Sequence, residues 1–435
     1  MSLIADLAYL AAGAAMAPVV LYRAVRHGRY RAGWSQRFGH VERKDVDRPC
    51  IWVHAVSLGE VNACKSLVAE LQRRRPDHEI VVSATTDTGF ARAQELFGSR
   101  LTVFYFPLDL SWIVRRAFDQ LRPSVCLLME LEVWPNFVET ARWRDVPVVV
   151  VNGRISDRSF RSYCRARMLL AGTFRRISLI LAQNELYAER FRHLGCPSDR
   201  VSVTGSLKFD TAQVADTVEG ADTLAARLGL GSAPLWVAGG TGDDEERPLL
   251  EVYRQLKTHP GLTDLRLAIV PRKPERFDQV AHWIEQAGLP LVRYSRVKDR
   301  AERGSADPAA VILGDTMGDL RKFYSLATVI FVGRSLVPMG GSDMMEAAAL
   351  GRPTLFGPHT FNFQQAVDLL LGARGALQVA DADALREGLQ RCLLEPDTAR
   401  TLAENGRQVI RDNQGATGRT VDRILEVMAS GVPAY

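Results

Sequence analysis

Along the chain, short apolar runs alternate with longer stretches whose apolar positions recur at helical spacing. The runs Ile51–Val56, Ile80–Ser83, Leu101–Tyr105, Val125–Leu128, Val146–Val151, Leu179–Ala182 and Val201–Thr204 predict strands, with helices such as Val61–Arg74 and Ser111–Gln120 between them. Strands that are apolar throughout, rather than alternating, belong to parallel sheets covered by helices on both faces. A second series follows at Leu235–Ala238, Arg266–Val270, Leu291–Tyr294, Val311–Leu313, Val329–Val332 and Pro353–Phe356, and helices at Ala380–Leu394 and Asp397–Val427 close the chain. The small, polar and acidic residues of 211–233 predict a linker containing a short helix. The expected architecture is α/β: two doubly wound, Rossmann-like domains, 46–210 and 234–435, facing a cleft. In such sheets ligands sit beyond the carboxyl ends of the strands, so chemistry is sought in the loops there.

Residues 1–45 follow a different pattern. From Leu7 to Tyr22 the chain is uncharged and mostly apolar, and seven Lys or Arg then fall between Arg23 and Lys44 against one acid, Glu42. The run is shorter than the roughly 20 residues a spanning helix needs, although extension back through Asp6 to Leu3 brings it close. Charge follows the run rather than preceding it, which is the wrong order for a secretory signal. An uncleaved membrane-anchor helix is expected, spanning or interfacial, with the basic collar on anionic headgroups and the rest of the chain on the cytoplasmic side. The other reading is an amphipathic helix packed on the protein itself.

Composition narrows the classes further. The 435 residues are 47% hydrophobic and 24% charged, globular values that exclude wholesale disorder and fibrous repeats. Lys and Arg exceed Asp and Glu by 55 to 50, a net charge of +5 that is too mild to imply nucleic acid without a patch. The six cysteines have no CxxC or paired spacing, so a reduced compartment fits and a zinc site does not.

Several loops carry candidate chemistry. In Ile51–Glu60 a strand passes through Gly59 into a helix whose first turn holds Glu60. That carboxylate is either matched to the helix dipole or a general base, and the dipole should hold its pKa down and keep it ionised. Glu130 and Glu132 follow an apolar strand and, in an extended segment, point the same way. A divalent ion is conceivable there, yet no His cluster or HExxH accompanies them, and Asp45-Val46-Asp47 and Asp381-Ala382-Asp383 read as polar loop and helix cap; no metal is expected. Lys208, at the end of the first domain, is either a solvated charge or a partner for phosphate. Gly239-Gly240-Thr241 follows a strand and precedes a helix, a place where free N–H groups meet phosphate. Arg272 ends another strand after Pro271, and Gly314–Asp319 makes a further strand-to-helix turn. Gly340-Gly341-Ser342-Asp343-Met344-Met345-Glu346 opens a helix that Gly351-Arg352-Pro353 ends. A Glu so placed can accept both ribose hydroxyls of a nucleotide, as in many two-domain nucleotide-sugar glycosyltransferases.

Together with Gly33–Gly39, His54–Glu60, Glu130–Asn136, Leu207-Lys208-Phe209 and Phe356–Thr360, these residues resemble the lipid A 3-deoxy-D-manno-octulosonic acid (Kdo) transferase family, of GT-B fold. The resemblance implies an inverting transfer of Kdo from CMP-Kdo to a lipid A precursor in lipopolysaccharide synthesis, on the cytoplasmic face of the inner membrane. CMP-Kdo is then a substrate, and no cofactor is implied. The resemblance gives Glu60 as proton acceptor and Glu130 and Lys208 as transition-state stabilisers. It places CMP against Pro271, Arg272, Met317, Gly318, Asp319 and the turn Asp343, Met344, Met345, Glu346. Gly239, Gly240, Thr241, Gly340 and Gly341 are further phosphate candidates.

The chain departs from the family pattern on its nucleotide side. Ser342 and Asp343 replace His and Asn, Gly240-Thr241-Gly242 stands where Ser-Thr-His is common, and Arg334 occupies a usual Gly. An Asp near phosphate should weaken donor binding unless Arg334 compensates. Two alternatives follow: a transferase of the same fold using another nucleotide sugar on a lipid, and a non-catalytic, membrane-tethered glycolipid-binding protein.

Overall fold

The structure, a computed structural model, describes residues 2–27, 32–298 and 307–430. Arg29 and Arg31 of the basic collar lie outside them. The chain divides into two compact units, Met1–Thr211 together with Asn413–Tyr435, and Ala212–Asp412.

The first unit is built on β1 (Cys50–Ala55), β2 (Glu79–Ala84), β3 (Thr102–Tyr105), β4 (Pro123–Met129), β5 (Val148–Gly153), β6 (Leu179–Ala182) and β7 (Val201–Val203), in the order β3-β2-β1-β4-β5-β6-β7. Every pair is parallel. Alternate residues of each strand feed cores on opposite faces. Ile51 and Val53 join Leu67 and Leu71 on one side, while Trp52 on the other packs among Phe104, Phe106, Phe118 and Phe137. The Trp52 indole N–H donates to Ser83 Oγ at 2.8 Å, so this large core residue leaves no bare donor. The motif Gly33–Gly39 protects the edge strand β3, where Gln36 Oε1 accepts the Tyr105 N–H at 3.0 Å.

The second unit repeats the plan with β8 (Leu235–Thr241), β9 (Arg266–Pro271), β10 (Leu291–Arg293), β11 (Val311–Leu313), β12 (Val329–Val332), β13 (Thr354–Phe356) and β14 (Leu377–Gln378), ordered β10-β11-β9-β8-β12-β13-β14 and again parallel. In each sheet the strand order reverses beside the first strand, between β1 and β4 and between β8 and β12. Those are the switch points where open α/β sheets bind ligands.

The short helix expected within residues 211–233 is Ala221–Leu228; it buries Leu224 and Leu228, and Arg266 bonds the carbonyls of Leu228 and Gly229. The expected helix Asp397–Val427 is two, Pro396–Asn413 and Ala416–Ser430, broken at Gly415, whose φ of 84° suits only a residue without Cβ strain. The second piece does not belong to the C-terminal domain; Ala416, Val421 and Ile424 enter the core of the first unit beside Leu67. Finally β14, two residues long, is too short to have left a pattern.

The N-terminal helix runs Ser2–His27 with Pro18 inside it. Among the described residues no helix is long and apolar enough to cross a membrane. Asp6, the charge inside the apolar run, is 7% exposed and serves the fold. It accepts Ser111 N–H (2.8 Å), Ser111 Oγ (2.6 Å) and Asn136 Nδ2 (2.9 Å), capping the helix Ser111–Leu121, which has no cap of its own.

Candidate active site

Glu60 sits just past the end of β1, in the first turn of the helix Leu58–Arg74. Ser57 is the helix cap, and the Glu60 side chain folds back so that Oε1 accepts from Ser57 Oγ (2.8 Å) and Oε2 from Val56 N–H (2.9 Å). The carboxylate is thereby fixed at the switch point. The expectation that the helix dipole keeps it an ordinary ionised carboxylate is overturned. Burial, reinforced by the charge of Glu130, outweighs the bonds from Val56 and Ser57 and pushes its pKa up to about 7.

Glu130 follows β4, the neighbour of β1, and gives its N–H to Val151 O at 2.9 Å. Its φ is 54°, so the segment turns here and is not extended as expected. A left-handed backbone at a non-glycine residue is the kind of strain that collects at working sites. Glu132, two residues on, is pushed up to about 8 by burial and by the charges of Glu60 and Glu130. Among the described residues no three His, Cys, Asp or Glu side chains are placed to hold a metal ion.

Lys208 lies in the short 3-10 segment Leu207–Thr211, which packs on the helix that carries Glu60. Asn152, buried at the end of β5 with φ 57°, accepts the Leu207 N–H at 3.1 Å and so positions this segment.

Next to Val56, whose N–H fixes Glu60, is a cavity of about 600 Å³, lined by Tyr9, Val56, Glu132, Trp134, Tyr163 and Leu170 among others. Asp109 caps the helix Pro135–Trp143, whose first residue lines this cavity, by accepting the Asn136 and Phe137 N–H groups, and is pushed up to about 7 by burial.

The second unit gathers the nucleotide candidates at the carboxyl ends of its strands. Pro271 ends β9 and Arg272 projects from it, exposed, its N–H on Thr241 O at 3.1 Å. Met317 and Gly318 are exposed, while the Asp319 carboxylate is 4% exposed and occupied by Lys322 (2.8 Å), Thr316 (2.6 Å) and Lys298 (3.4 Å). Burial raises its pKa, but these three partners win and hold it below the usual range. Asp319 thus shapes the turn, and Met317 and Gly318 remain exposed. Asp343 caps the short helix Met344–Ala349 by accepting the Met345 N–H at 2.9 Å, and Met344 and Met345 are buried. Glu346 is pushed up to about 7 by burial and Asp343, against the pull of Arg321 and Arg272.

The glycine-rich phosphate candidates differ from expectation. Gly239, Gly240 and Thr241 continue β8 and are buried, not an open loop. Gly240 has φ 65°, and a Cβ there would lie 2.7 Å from Ser342 Oγ, which donates to Gly240 O. Gly341 N–H bonds Arg334 O and Ser342 N–H bonds Gly333 O. Gly340 packs so that its Cβ would strike Asn362. The organiser is Glu245, which the sequence pattern did not single out. Fully buried, its carboxylate accepts N–H groups from Gly242 (3.0 Å), Ser335 (2.7 Å), Leu336 (2.9 Å) and Arg334, joining the loops after β8 and β12. Glu246 beside it holds Thr241 and Arg276. Two acids opening a helix after glycines were the available signal.

The family model described as 3-deoxy-D-manno-octulosonic-acid transferase (kdotransferase) matches residues 32–211. The 3-deoxy-D-manno-octulosonic acid transferase of Haemophilus influenzae is 33% identical over 411 residues, covering 94% of each chain. The chain belongs to this Kdo transferase family. The Bordetella pertussis Kdo transferase is 34% identical across 86% of each chain. A glycosyltransferase from Rickettsia africae, 14% identical, superposes with a TM-score of 0.56 over 88% of this chain and 99% of its own, a likeness of GT-B fold. This Kdo transferase family member is therefore a glycosyltransferase, and Glu60, Glu130 and Glu132 follow β1 and β4 at the first unit's switch point. Sequence alone marks Glu132 only as a partner of Glu130, because spacing does not reveal a cavity.

Proposed function

We propose that the protein transfers Kdo from CMP-Kdo to a lipid A precursor. The observation that carries this is Glu60: a carboxylate with a pKa near neutrality, immobilised by Ser57 and by Val56, which lines a cavity of about 600 Å³. A carboxylate raised toward neutrality is a stronger base than an ordinary one and can take the proton of an attacking hydroxyl. As the acceptor oxygen bonds to the anomeric carbon, its proton passes to Glu60, and the bond to CMP breaks. Glu130 stabilises the oxocarbenium-like charge, and Lys208 the leaving phosphate. Arg272, Met317, Gly318 and Glu346 hold the nucleotide.

A lipid acceptor requires contact with its bilayer. Met168 is 98% exposed and Leu169 74%, and Arg161, Arg165 and Arg167 are exposed on the same helix pair, Asp157–Arg165 and Arg167–Arg175. Apolar tips flanked by arginines suit an anionic, cytoplasm-facing inner-membrane surface; Leu7 and Leu10 of the N-terminal helix are also exposed. The test is incubation of purified protein with CMP-Kdo and lipid A precursor, weighing the lipid product, with CMP and UDP as competitors. Addition of one or more Kdo masses, inhibited by CMP rather than UDP, is expected. No mass gain, or inhibition by UDP alone, sinks the reading.

A further inference from the structure

We propose that Glu132 works as an uncharged carboxylic acid that donates a hydrogen bond to an oxygen of the lipid acceptor, holding the attacking hydroxyl against Glu60. This rests on the transfer reaction proposed above and adds a substrate-contacting residue to it. Glu132 lines the cavity together with Val56, whose N–H fixes Glu60. Among the described residues, the titratable groups that act on it or share its cavity are Glu60 from the helix Leu58–Arg74, Glu130 from its own segment, Tyr163 from the helix Asp157–Arg165 and Tyr9 from the N-terminal helix. Among the described residues lining the cavity, none is Lys, Arg or His. Burial and the neighbouring charges of Glu60 and Glu130 oppose ionisation of Glu132. Once Glu60 is ionised, its charge together with burial favours the protonated form of Glu132 at the cavity wall. A protonated carboxyl is a donor, whereas a carboxylate only accepts. The site thus divides its labour: Glu60 accepts the hydroxyl proton, and Glu132 keeps its own and orients the acceptor.

The test is kcat/KM for the acceptor against pH in wild type, Glu132→Gln and Glu132→Ala, with melting curves for each. The wild-type profile should be bell-shaped, with limbs that belong to the coupled pair near 7 and 8. Glu132→Gln, a neutral donor of the same shape, should stay within about threefold of wild type at pH 7 and lose the alkaline limb. Glu132→Ala should raise the acceptor KM about tenfold while leaving the CMP-Kdo KM unchanged. A folded Glu132→Gln as inactive as Glu60→Gln overturns the proposal, and so does a wild-type profile with no alkaline limb, which needs no variant to fold. Wild type that transfers nothing instead removes the underlying reaction, so the two failures are distinguishable.

Discussion

Ser57 and Glu60 bond each other twice: the Ser57 hydroxyl donates to Glu60 Oε1 at 2.8 Å, and the Glu60 N–H reaches back to Ser57 Oγ at 3.4 Å. One contact caps the helix, and the other lowers the pKa of the base. Removing both in Ser57→Ala should therefore raise the pKa of Glu60 further and shift the acid limb of activity to higher pH. It should also cost about 1 kcal/mol of stability from the lost cap. A pH–rate profile alongside urea melts separates the two effects; an unmoved acid limb would mean that the hydroxyl does not tune the base.

Glu60 also links pH to stability. Its carboxyl is raised from 4.5 unfolded to about 7 folded, so the folded state binds more protons between those values. Stability contributed by the neutral form is present below 4.5 and is lost as pH rises through 7. Glu60→Gln removes that loss, so the variant should gain about 1–3 kcal/mol over wild type at pH 8 and little at pH 4. The same variant should cost orders of magnitude in turnover while still binding CMP-Kdo. Equal melting temperatures at pH 8 would contradict the shift; near-normal turnover would refute the base.

Arg334 follows β12 with φ 59°, its backbone N–H on Glu245 and its Nε buried without a hydrogen-bond partner. A cation held in a strained backbone points to a role toward the anionic donor. Arg334→Gly should relieve strain of roughly 1 kcal/mol, and Arg334→Ala should raise the CMP-Kdo KM about tenfold. Donor affinity that stays unchanged in both variants, measured by titration calorimetry, removes the role.

Asp6→Ala should leave the Ser111 N–H and Asn136 Nδ2 without their acceptor and cost about 1–3 kcal/mol. Because Tyr9 lies one turn away on the wall of the cavity, the variant should also raise the acceptor KM more than the donor KM. A change confined to stability would assign Asp6 to the fold alone.

Both sheets were legible because their strands are apolar on both faces, and Leu179–Ala182, Val311–Leu313 and Val329–Val332 fall where the pattern puts them. The break at Gly415 was not, since one glycine in a helical pattern is also tolerated without a break. Glu60 and Glu130 stood out by position after strands, but their shared electrostatics depends on β1 lying beside β4, which strand order decides and spacing does not. Glu245 and Asp6 stayed hidden for the same reason: their partners are distant in the chain, at Ser335 and Ser111.

The terminal helix also bears on synthesis. Since Ala416, Val421 and Ile424 complete an interior otherwise made from residues before 211, the ribosome delivers every residue of the nucleotide-side unit before the missing wedge of the other. A nascent chain thus leaves the side of that interior around Leu67 incomplete until the residues beyond Gly415 have been made.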